Sequence, residues 1–448
     1  MTVRGLKEWA KVAEVFLWLI LGATTVFYVI SIKWPLFLDI SYYFIVTLLV
    51  VDSAFSYWFT TSVFNDKKFV PLPTAENKPV PRTTFIVSAY LPNEVAVIEC
   101  TLLNILQKVK RPADGIEVIL AYNTPHMEEL ELKLRELTYR WPELILANAY
   151  GSRSKSENLN YAIDLASGRM IALLDADHLV SEDCLALAWR WLDEGYDVAQ
   201  GRCKVRNCEE SILAKLVEIE FEIIYGVNHL SRSIIFDTAL FGGSNGYWKV
   251  EVLKKVKFLE NMLTEDIDTT LRGVLEGYRF VHDRSIVSSE LAPTTIPSFW
   301  FQRKRWSQGW FECSMKYQIA IWRNRYLNFQ QKFIWTMLLT WRIFFDVVSM
   351  LLFPVVFAFW LHLGRIAFPV NAYILFALVF ILFSGPYQAL IAYKNAAPPK
   401  APVWEYLFYS FFVWPYTVFK TVIHIIAIRD QLAGEHSWIV SKRTAAKI

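Results

Sequence analysis

"GRMIALLDADH", residues 168–178, is a continuous apolar run that ends in two acidic residues. Such a run is typical of a strand buried on both faces, as in a parallel sheet. Three more β-rich runs precede it, with helical patterns between: "TTFIVSA" (83–89), Glu94–Lys108, "GIEVILAY" (115–122), Met127–Tyr139, "ELILAN" (143–148) and Ser156–Ala166. Strands that alternate with helices predict an α/β domain with a parallel sheet, whose ligands bind beyond the carboxyl ends of the strands.

Asp175 and Asp177 lie at the end of the quoted strand, one residue apart. Two carboxylates so placed can share a divalent cation, and hard oxygen ligands suit Mg²⁺ or Mn²⁺, which can bridge phosphate oxygens. An acidic pair is also common in solvated turns, which is the structural alternative. The buried strand that precedes the pair favours a site.

Two stretches place polar residues at the start of a helix. In "MLTEDIDTTLRGVLEGYRF" (262–280), Thr264 is a good N-cap, and Glu265 and Asp266 suit the positive end of the helix dipole, so capping alone can explain them. In "GSRSKSENLNYAI" (151–163), Lys155 near a helix N-terminus can meet phosphate or can belong to a solvated turn. Taken singly, each motif is weak evidence for a functional site.

A glycine-rich stretch, "FGGSNGYW" (241–248), does not have the spacing of a phosphate loop. It is interpreted as a flexible turn around Gly243 where the backbone approaches a ligand closely. Further along, "FWFQRKRWSQGW" (299–310) crowds aromatic and basic residues together. On a helix Gln302, Arg305 and Trp306 share one face, and Arg303 and Lys304 are expected to point elsewhere, toward the membrane surface.

The composition indicates a membrane protein. Of 448 residues 54% are hydrophobic, and the mean hydropathy is +0.28, too apolar for an ordinary soluble protein. The 18 Trp, 21 Tyr and 32 Phe fit aromatic belts at membrane interfaces. A net charge of only +3 gives no electrostatic support to nucleic-acid binding. The five cysteines show no metal-ligand or CxxC spacing, which predicts reduced thiols.

Four apolar runs are long enough to cross a bilayer: Val12–Ile32, Ile40–Phe64, Ile343–Leu363 and Ala372–Tyr393. Basic residues flank the first pair, so the positive-inside rule places both ends of that hairpin in the cytoplasm. Asp52 lies inside the second run and is either a pathway residue or a partner for a neighbouring helix.

The final aromatic stretch, Trp404–Ile428, decides the number of spans. It contains three polar residues, Glu405, Lys420 and His424, and Pro415 is expected to break it midway. These features favour an interfacial element over a span. We therefore predict four spans and a cytoplasmic C-terminal tail.

The ordered set Asp175-x-Asp177, Thr264-Glu265-Asp266 and Gln302-x-x-Arg305-Trp306, flanked by apolar runs, resembles the membrane-integrated family-2 glycosyltransferases, which include cellulose, chitin and hyaluronan synthases. The resemblance covers roughly residues 40–443. It implies an α/β fold in which a cytoplasmic GT-A (Rossmann-like) glycosyltransferase domain is inserted between transmembrane helices, with amphipathic interface helices.

The resemblance also implies roles. Asp175 and Asp177 would hold the metal, Mg²⁺ or Mn²⁺, and the nucleotide diphosphate, and Asp266 of the T-E-D motif would be the general base. The other expected residues are Thr264 and Glu265 (catalytic); Tyr90, Glu94, Asn123, Lys155 and Arg305 (nucleotide sugar); Gln302, Trp306 and Gly243 (acceptor); and Trp438, Ser441 and Arg443 (gating, from "EHSWIVSKR", 435–443). The reaction would be a single displacement that inverts the anomeric carbon.

Two departures from the family pattern concern the nucleotide. The family's first strand often ends like "PAYNE", whereas residues 88–94 read "SAYLPNE". Its second strand usually ends in an Asp that contacts the base, whereas "LAYNTP" (120–125) puts Tyr122 and Asn123 there. A UDP-sugar donor is therefore an inference, and other nucleotides stay open.

Three functions compete. The favoured one is a processive synthase that extends and secretes a β-linked polysaccharide; the second is a single-step enzyme that glycosylates a lipid at the cytoplasmic membrane face; the third is a transporter or receptor with a soluble lobe.

The expected partners are a nucleotide sugar, the nascent glycan or lipid acceptor, membrane lipid of the plasma (inner) membrane and, for a wider channel, a second copy of the chain. The expected segments are 1–69 (transmembrane hairpin), 70–298 (catalytic domain), 299–335 (interface helices), 336–400 (transmembrane helices) and 401–448 (interfacial segment and tail).

Overall fold

A computed structural model describes residues 3–68, 79–123, 128–365 and 368–435. Its α/β domain is built on an eight-stranded sheet with the order β3-β2-β1-β4-β7-β6-β8-β5. The strands are β1 (Thr83–Tyr90), β2 (Ile116–Asn123), β3 (Leu144–Asn148), β4 (Met170–Asp175), β5 (Leu179–Val180), β6 (Val198–Val205), β7 (Gly246–Lys249) and β8 (Phe280–Glu290).

The sheet is mixed, which corrects the prediction of a parallel sheet. β1 to β4, the four strands recognised in the sequence, pair in parallel, as do β6 and β8. In contrast, β7 is antiparallel to both β4 and β6, and β5 is antiparallel to β8. β7 enters the sheet from the glycine-rich turn and not from a crossover helix, so the βαβ rule does not govern its direction.

Some of the helices pack around the sheet, and others form the segments that could cross a membrane. They are α1 (Val3–Val15), α2 (Ala23–Lys33), α3 (Leu36–Ser62), α4 (Leu91–Glu94), α5 (Ile98–Lys108), α6 (Glu128–Arg140), α7 (Lys155–Leu165), α8 (Cys184–Asp193), α9 (Ile212–Ile223), α10 (Leu230–Phe236), α11 (Val250–Val256), α12 (Glu265–Leu275), α13 (Ile296–Arg323), α14 (Phe329–Thr336), α15 (Arg342–Met350), α16 (Leu352–Leu363), α17 (Ala372–Asn395) and α18 (Val403–Leu432). π-Helical turns join α1 to α2, α9 to α10 and α14 to α15.

Two apolar layers hold the domain together. Alternate residues of β1, such as Phe85 and Ile86, belong to opposite layers, as a strand buried on both faces requires. The layer that contains Ile86 packs against α7, α11, α12 and α13, and these helices also supply the candidate site.

Five helical segments in the described part of the chain are long and apolar enough to cross a membrane: Lys7–Lys33, Leu36–Asn65, Phe329–Leu363, Ala372–Asn395 and Val403–Leu432. The first four correspond to the four predicted spans. Asp52, on the second segment, accepts a hydrogen bond from Trp341 Nε1 (3.1 Å), so it does have a partner on a neighbouring helix. Length and composition thus indicate an integral membrane protein.

The fifth segment, α18, is one unbroken helix, and the predicted break at Pro415 is wrong. The proline removes one backbone hydrogen bond, but packing against α13 and α17 holds the helix across it. Near its start Glu405 pairs with Lys215 of α9 (2.6 Å), and near its end Asp430 pairs with Lys11 of α1 (2.8 Å). α18 therefore touches the α/β domain and the N-terminal helix along most of its length.

Candidate active site

Lys155 joins two of the motifs recognised in the sequence. It is the first residue of α7, and its Nζ lies 2.6 Å from Asp175 Oδ1 at the end of β4 and 3.1 Å from Glu265 Oε1 at the start of α12. Burial lowers the pKa of this lysine, but the charges of Asp175 and Glu265 more than offset that and raise the pKa above its usual value. Lys155 therefore stays charged between two carboxylates.

Local hydrogen bonds explain why α7 places Lys155 at the carboxyl end of β4. Ser154 caps the helix by accepting from Glu157 N (3.1 Å). Asn158 donates to Ala89 O of β1 (3.4 Å). Asn160 exchanges two hydrogen bonds with the backbone of Phe258, at 2.8 and 2.9 Å. The two asparagines thus fix the first two turns of α7 between the sheet and the approach to α12.

Asp266 lies against the glycine-rich turn. Gly243 has φ +86°, and a β-carbon there would lie 2.9 Å from Asp266 Oδ2. Desolvation by the surrounding protein and the adjacent Glu265 charge raise the pKa of Asp266 to about 7, against the opposing charges of Lys155 and Arg305. A carboxyl group whose pKa lies near neutrality can accept a proton under ordinary conditions.

The T-E-D motif and the aromatic helix are in direct contact. A β-carbon on Gly309 of α13 would lie only 2.3 Å from Thr264 Oγ1, so the absence of a side chain lets α12 and α13 approach. Arg305 Nη1 donates to Leu263 O (3.2 Å), just before the motif. Thr264 makes no side-chain capping bond, so capping does not account for this residue.

The predicted arrangement of the residues on α13 is partly wrong. Arg303 and Lys304 do not reach a membrane surface: both are buried, Arg303 pairs with Glu220 and Lys304 pairs with Glu8 (2.9 Å). The Arg303 guanidinium lies 4.5 Å from the centroid of the Trp306 ring, because residues three apart on a helix are neighbours. Sequence spacing could not reveal the buried acidic partners, which come from distant segments.

The two aspartates of the acidic pair have different surroundings. Asp175 is partly exposed and faces Lys155, whereas Asp177 is buried and its Oδ2 accepts from Leu291 N (3.2 Å). Carboxylate oxygens at the end of a strand are the ligand type that Mg²⁺ and Mn²⁺ prefer, and a cation bound there would compete with Lys155 for Asp175. Next to the pair lie His178, Cys203 and Glu290. Each offers one potential metal-ligating atom, and these three atoms lie within 4.8 Å of one another.

The other residues expected to bind the nucleotide lie at or just after the ends of β1 and β2. Tyr90 is exposed at the end of β1, and Glu94 is buried at the end of α4. Asn123 donates to Ser152 O, in the loop that leads to α7. The neighbouring Tyr122 donates through its hydroxyl to Glu131 of α6 (2.8 Å).

Sequence reasoning missed several residues that complete the site. Ser244 Oγ accepts from Asp175 N (3.0 Å), and Ser88 donates to Asp175 Oδ1 (3.4 Å). Gln200 accepts from Gly242 N (2.9 Å) and so holds the glycine-rich turn. Ser244 lies inside the glycine-rich stretch, but only the folded sheet brings it beside Asp175 and brings Gln200 to the same turn. The expected gating residues Trp438, Ser441 and Arg443 lie outside the described residues.

Comparisons with known proteins show what parts of the chain are similar to. Residues 84–249 match the family described as "Glycosyl transferase family 2", and residues 170–390 match "Glycosyl transferase family group 2". The poly-β-1,6-N-acetyl-D-glucosamine synthase of Staphylococcus aureus (strain COL) is 28% identical over 240 residues, which are 52% of this chain and 55% of the relative. That of Staphylococcus epidermidis is 26% identical over 274 residues, 58% of this chain and 63% of the relative. The chain thus matches little more than half the length of these relatives.

A solved structure shares the fold. The mannosyltransferase PcManGT from Pyrobaculum calidifontis, in complex with GDP-Man and Mn²⁺, aligns with a TM-score of 0.53 at 21% identity and covers 88% of this chain and 100% of its own. At this identity the likeness concerns the fold alone. It confirms the predicted GT-A architecture.

Proposed function

We propose that this chain, in which residues 84–249 and 170–390 match glycosyl transferase family 2 models, transfers sugar from a nucleotide-diphosphate sugar to a growing β-linked polysaccharide at a membrane and secretes the product. The names of the staphylococcal relatives favour N-acetylglucosamine as the sugar, with UDP-N-acetylglucosamine as the first donor to test. The segments long and apolar enough to cross a membrane, on both sides of the domain, support an enzyme that works at the bilayer.

One observation carries this proposal: Lys155 Nζ links Asp175 of the D-x-D motif and Glu265 of the T-E-D motif, within 2.6 and 3.1 Å. Residues that are 90 positions apart in the chain therefore face one space at the carboxyl edge of the sheet. That edge is where ligands of such sheets bind. Asp266 and the backbone of Gly243 border the same space.

In the proposed reaction Asp266 takes the proton of the acceptor hydroxyl as its oxygen attacks the anomeric carbon. A base opposite the leaving group gives inversion, so an α-linked donor yields a β-glycoside. Asp175 and Asp177 would hold Mg²⁺ or Mn²⁺, which when bound neutralises charge on the leaving diphosphate. Lys155 and Arg305 add fixed positive charge on the same side, and the planar fork of Arg305 suits phosphate oxygens.

For the acceptor, we assign Trp306 as a stacking surface for a sugar ring and Gln302 as a hydrogen-bonding neighbour. Secretion needs a polar route between the spanning helices. Asp52 and its hydrogen-bond partner Trp341 place polar groups among those helices, which supports such a route. The catalytic domain would lie on the cytoplasmic face of the plasma (inner) membrane, because basic residues flank the first transmembrane hairpin.

Product size tests the proposal. Purified protein receives radiolabelled nucleotide sugars with Mg²⁺ or Mn²⁺, and Asp266→Asn serves as the control. High-molecular-weight material that forms with UDP-N-acetylglucosamine and is absent from the control is expected. A single labelled lipid, formed only when lipid is added, would instead make the protein a lipid glycosyltransferase.

A further inference from the structure

Glu220 of α9 is a buried carboxylate that binds three donors from two other helices. Arg303 Nη2 of α13 lies 2.5 Å from its Oε2, the Tyr416 hydroxyl of α18 donates to the same oxygen (2.8 Å), and Lys420 Nζ of α18 donates to Oε1 (2.7 Å). Burial alone would raise the pKa of Glu220, but the charges of Arg303 and Lys420 lower it to about 2. Glu220 is therefore an ionised carboxylate at neutral pH, at the junction of three helices.

Arg303 connects this anion to the candidate acceptor surface. Its guanidinium carbon lies 4.5 Å from the Trp306 ring centroid and 5.0 Å from the Phe299 ring centroid. A guanidinium held over an indole is attracted to the π-face, most strongly where water is excluded. Arg303 is only 8% exposed, so the contact is a buried one.

We propose that Arg303, held by Glu220, is a positioning residue that fixes the plane of the Trp306 indole for stacking with the acceptor sugar. The inference rests on the proposed function, because it gives Trp306 the acceptor. In this role Arg303 acts through Trp306 and does not itself contact the substrate. Tyr416 and Lys420 extend the arrangement to α18, so the last long helix of the described chain helps to set the acceptor surface.

The geometry explains why an arginine occupies this position. A planar guanidinium can bond Glu220 through one edge while its face lies on Trp306. The ammonium group of a lysine can keep the ion pair but lacks that face. Arg303→Lys therefore separates the two contacts, and it preserves the buried charge balance that Glu220→Gln would disturb.

The kinetic experiment uses the full chain in lipid nanodiscs with UDP-N-acetylglucosamine and a β-1,6-linked N-acetylglucosamine oligomer. We expect Arg303→Lys to raise the KM for the oligomer about tenfold, with the KM for the donor and the rate of donor hydrolysis without oligomer within about twofold of the wild type. Arg325→Lys is the matched control, since Arg325 also lies over an aromatic ring, Tyr326 (4.9 Å), away from the site. An unchanged KM for the oligomer would overturn the proposal.

A second measurement does not depend on the donor. The protein is labelled with 5-fluorotryptophan, and Trp306→Phe identifies the ¹⁹F resonance of Trp306. This resonance is expected to shift or broaden in Arg303→Lys and Glu220→Gln but not in Arg325→Lys. The same resonance in wild type and Arg303→Lys would refute the positioning role. If the wild type does not turn over UDP-N-acetylglucosamine, that result counts against the proposed function alone, since the resonance still decides the role of Arg303.

Discussion

The α-carbon of Gly243 and the carboxylate of Asp266 lie so close that a single added carbon would reach the base: a β-carbon at Gly243 would be 2.9 Å from Asp266 Oδ2. The turn and the T-E-D motif come from separate segments of the chain, and their contact fixes the orientation of the proposed base. Gly243 also has φ +86°, a backbone conformation that other residues adopt at a cost.

Gly243→Ala is therefore expected to reduce transferase activity at least about 100-fold, because it displaces the reacting carboxylate. Gly115→Ala is the matched control, since Gly115 has φ +79° and open space around its α-carbon. Both variants should lose about 1 kcal/mol of stability from backbone strain. Equal activity losses in the two variants, measured at equal folded fractions, would show that strain and not contact with Asp266 is responsible.

The pKa of Asp266, raised to about 7, predicts the acidic side of the pH–rate profile. A general base works only when ionised, so kcat/KM should fall as the pH drops through this value. Glu265→Gln removes a charge that raises this pKa and should move the acidic limb to lower pH. Lys155→Met removes a charge that lowers it and should move the limb to higher pH, each by on the order of one unit. Limbs that move in the same direction in both variants would contradict the assignment of Asp266.

The contact between Gly309 and Thr264 joins the T-E-D motif to the aromatic helix. Gly309→Ala would place a β-carbon 2.3 Å from Thr264 Oγ1 and should cost about 1–3 kcal/mol of stability, together with activity. Gly22→Ala is the control: it also lies in a helix, but its β-carbon would have ordinary contacts at 3.6 Å, so no loss is expected. Thermal unfolding of Gly309→Ala with and without Thr264→Ala measures the contact. The second substitution should restore part of the stability if the overlap is the cause.

The sequence predicts the parts of this protein that depend on local pattern. β1 to β4 and α5 to α7 follow from apolar runs and helical periodicity, and the predicted residues Lys155, Asp175, Glu265 and Asp266 do meet. The antiparallel β7 and the burial of Arg303 escaped prediction, because each depends on partners far away in the chain. The pairing of Arg303 with Glu220, for example, joins residues 83 positions apart.

The position of α18 decides whether the four-span prediction holds. Its 30 residues are about 45 Å long, enough to cross the roughly 30 Å hydrocarbon core. Yet α18 forms ion pairs along its whole length. Glu405 near its start and Lys420 further along pair with α9, which packs on the catalytic domain. Asp430 near its end pairs with α1, which precedes that domain. A spanning helix would carry one end to the far side of the bilayer, so these contacts support an interfacial α18.

Cysteine labelling in intact cells tests this topology in a Cys100→Ser/Cys208→Ser background, with a maleimide that does not cross membranes. Four spans predict that Val370→Cys, between the third and fourth candidate spans, is labelled, whereas Leu432→Cys and Tyr150→Cys react only after lysis. All three positions are well exposed, at 61%, 74% and 97%. Labelling of Leu432→Cys in intact cells, with Tyr150→Cys still protected, would mean that α18 crosses the membrane and that the tail lies outside.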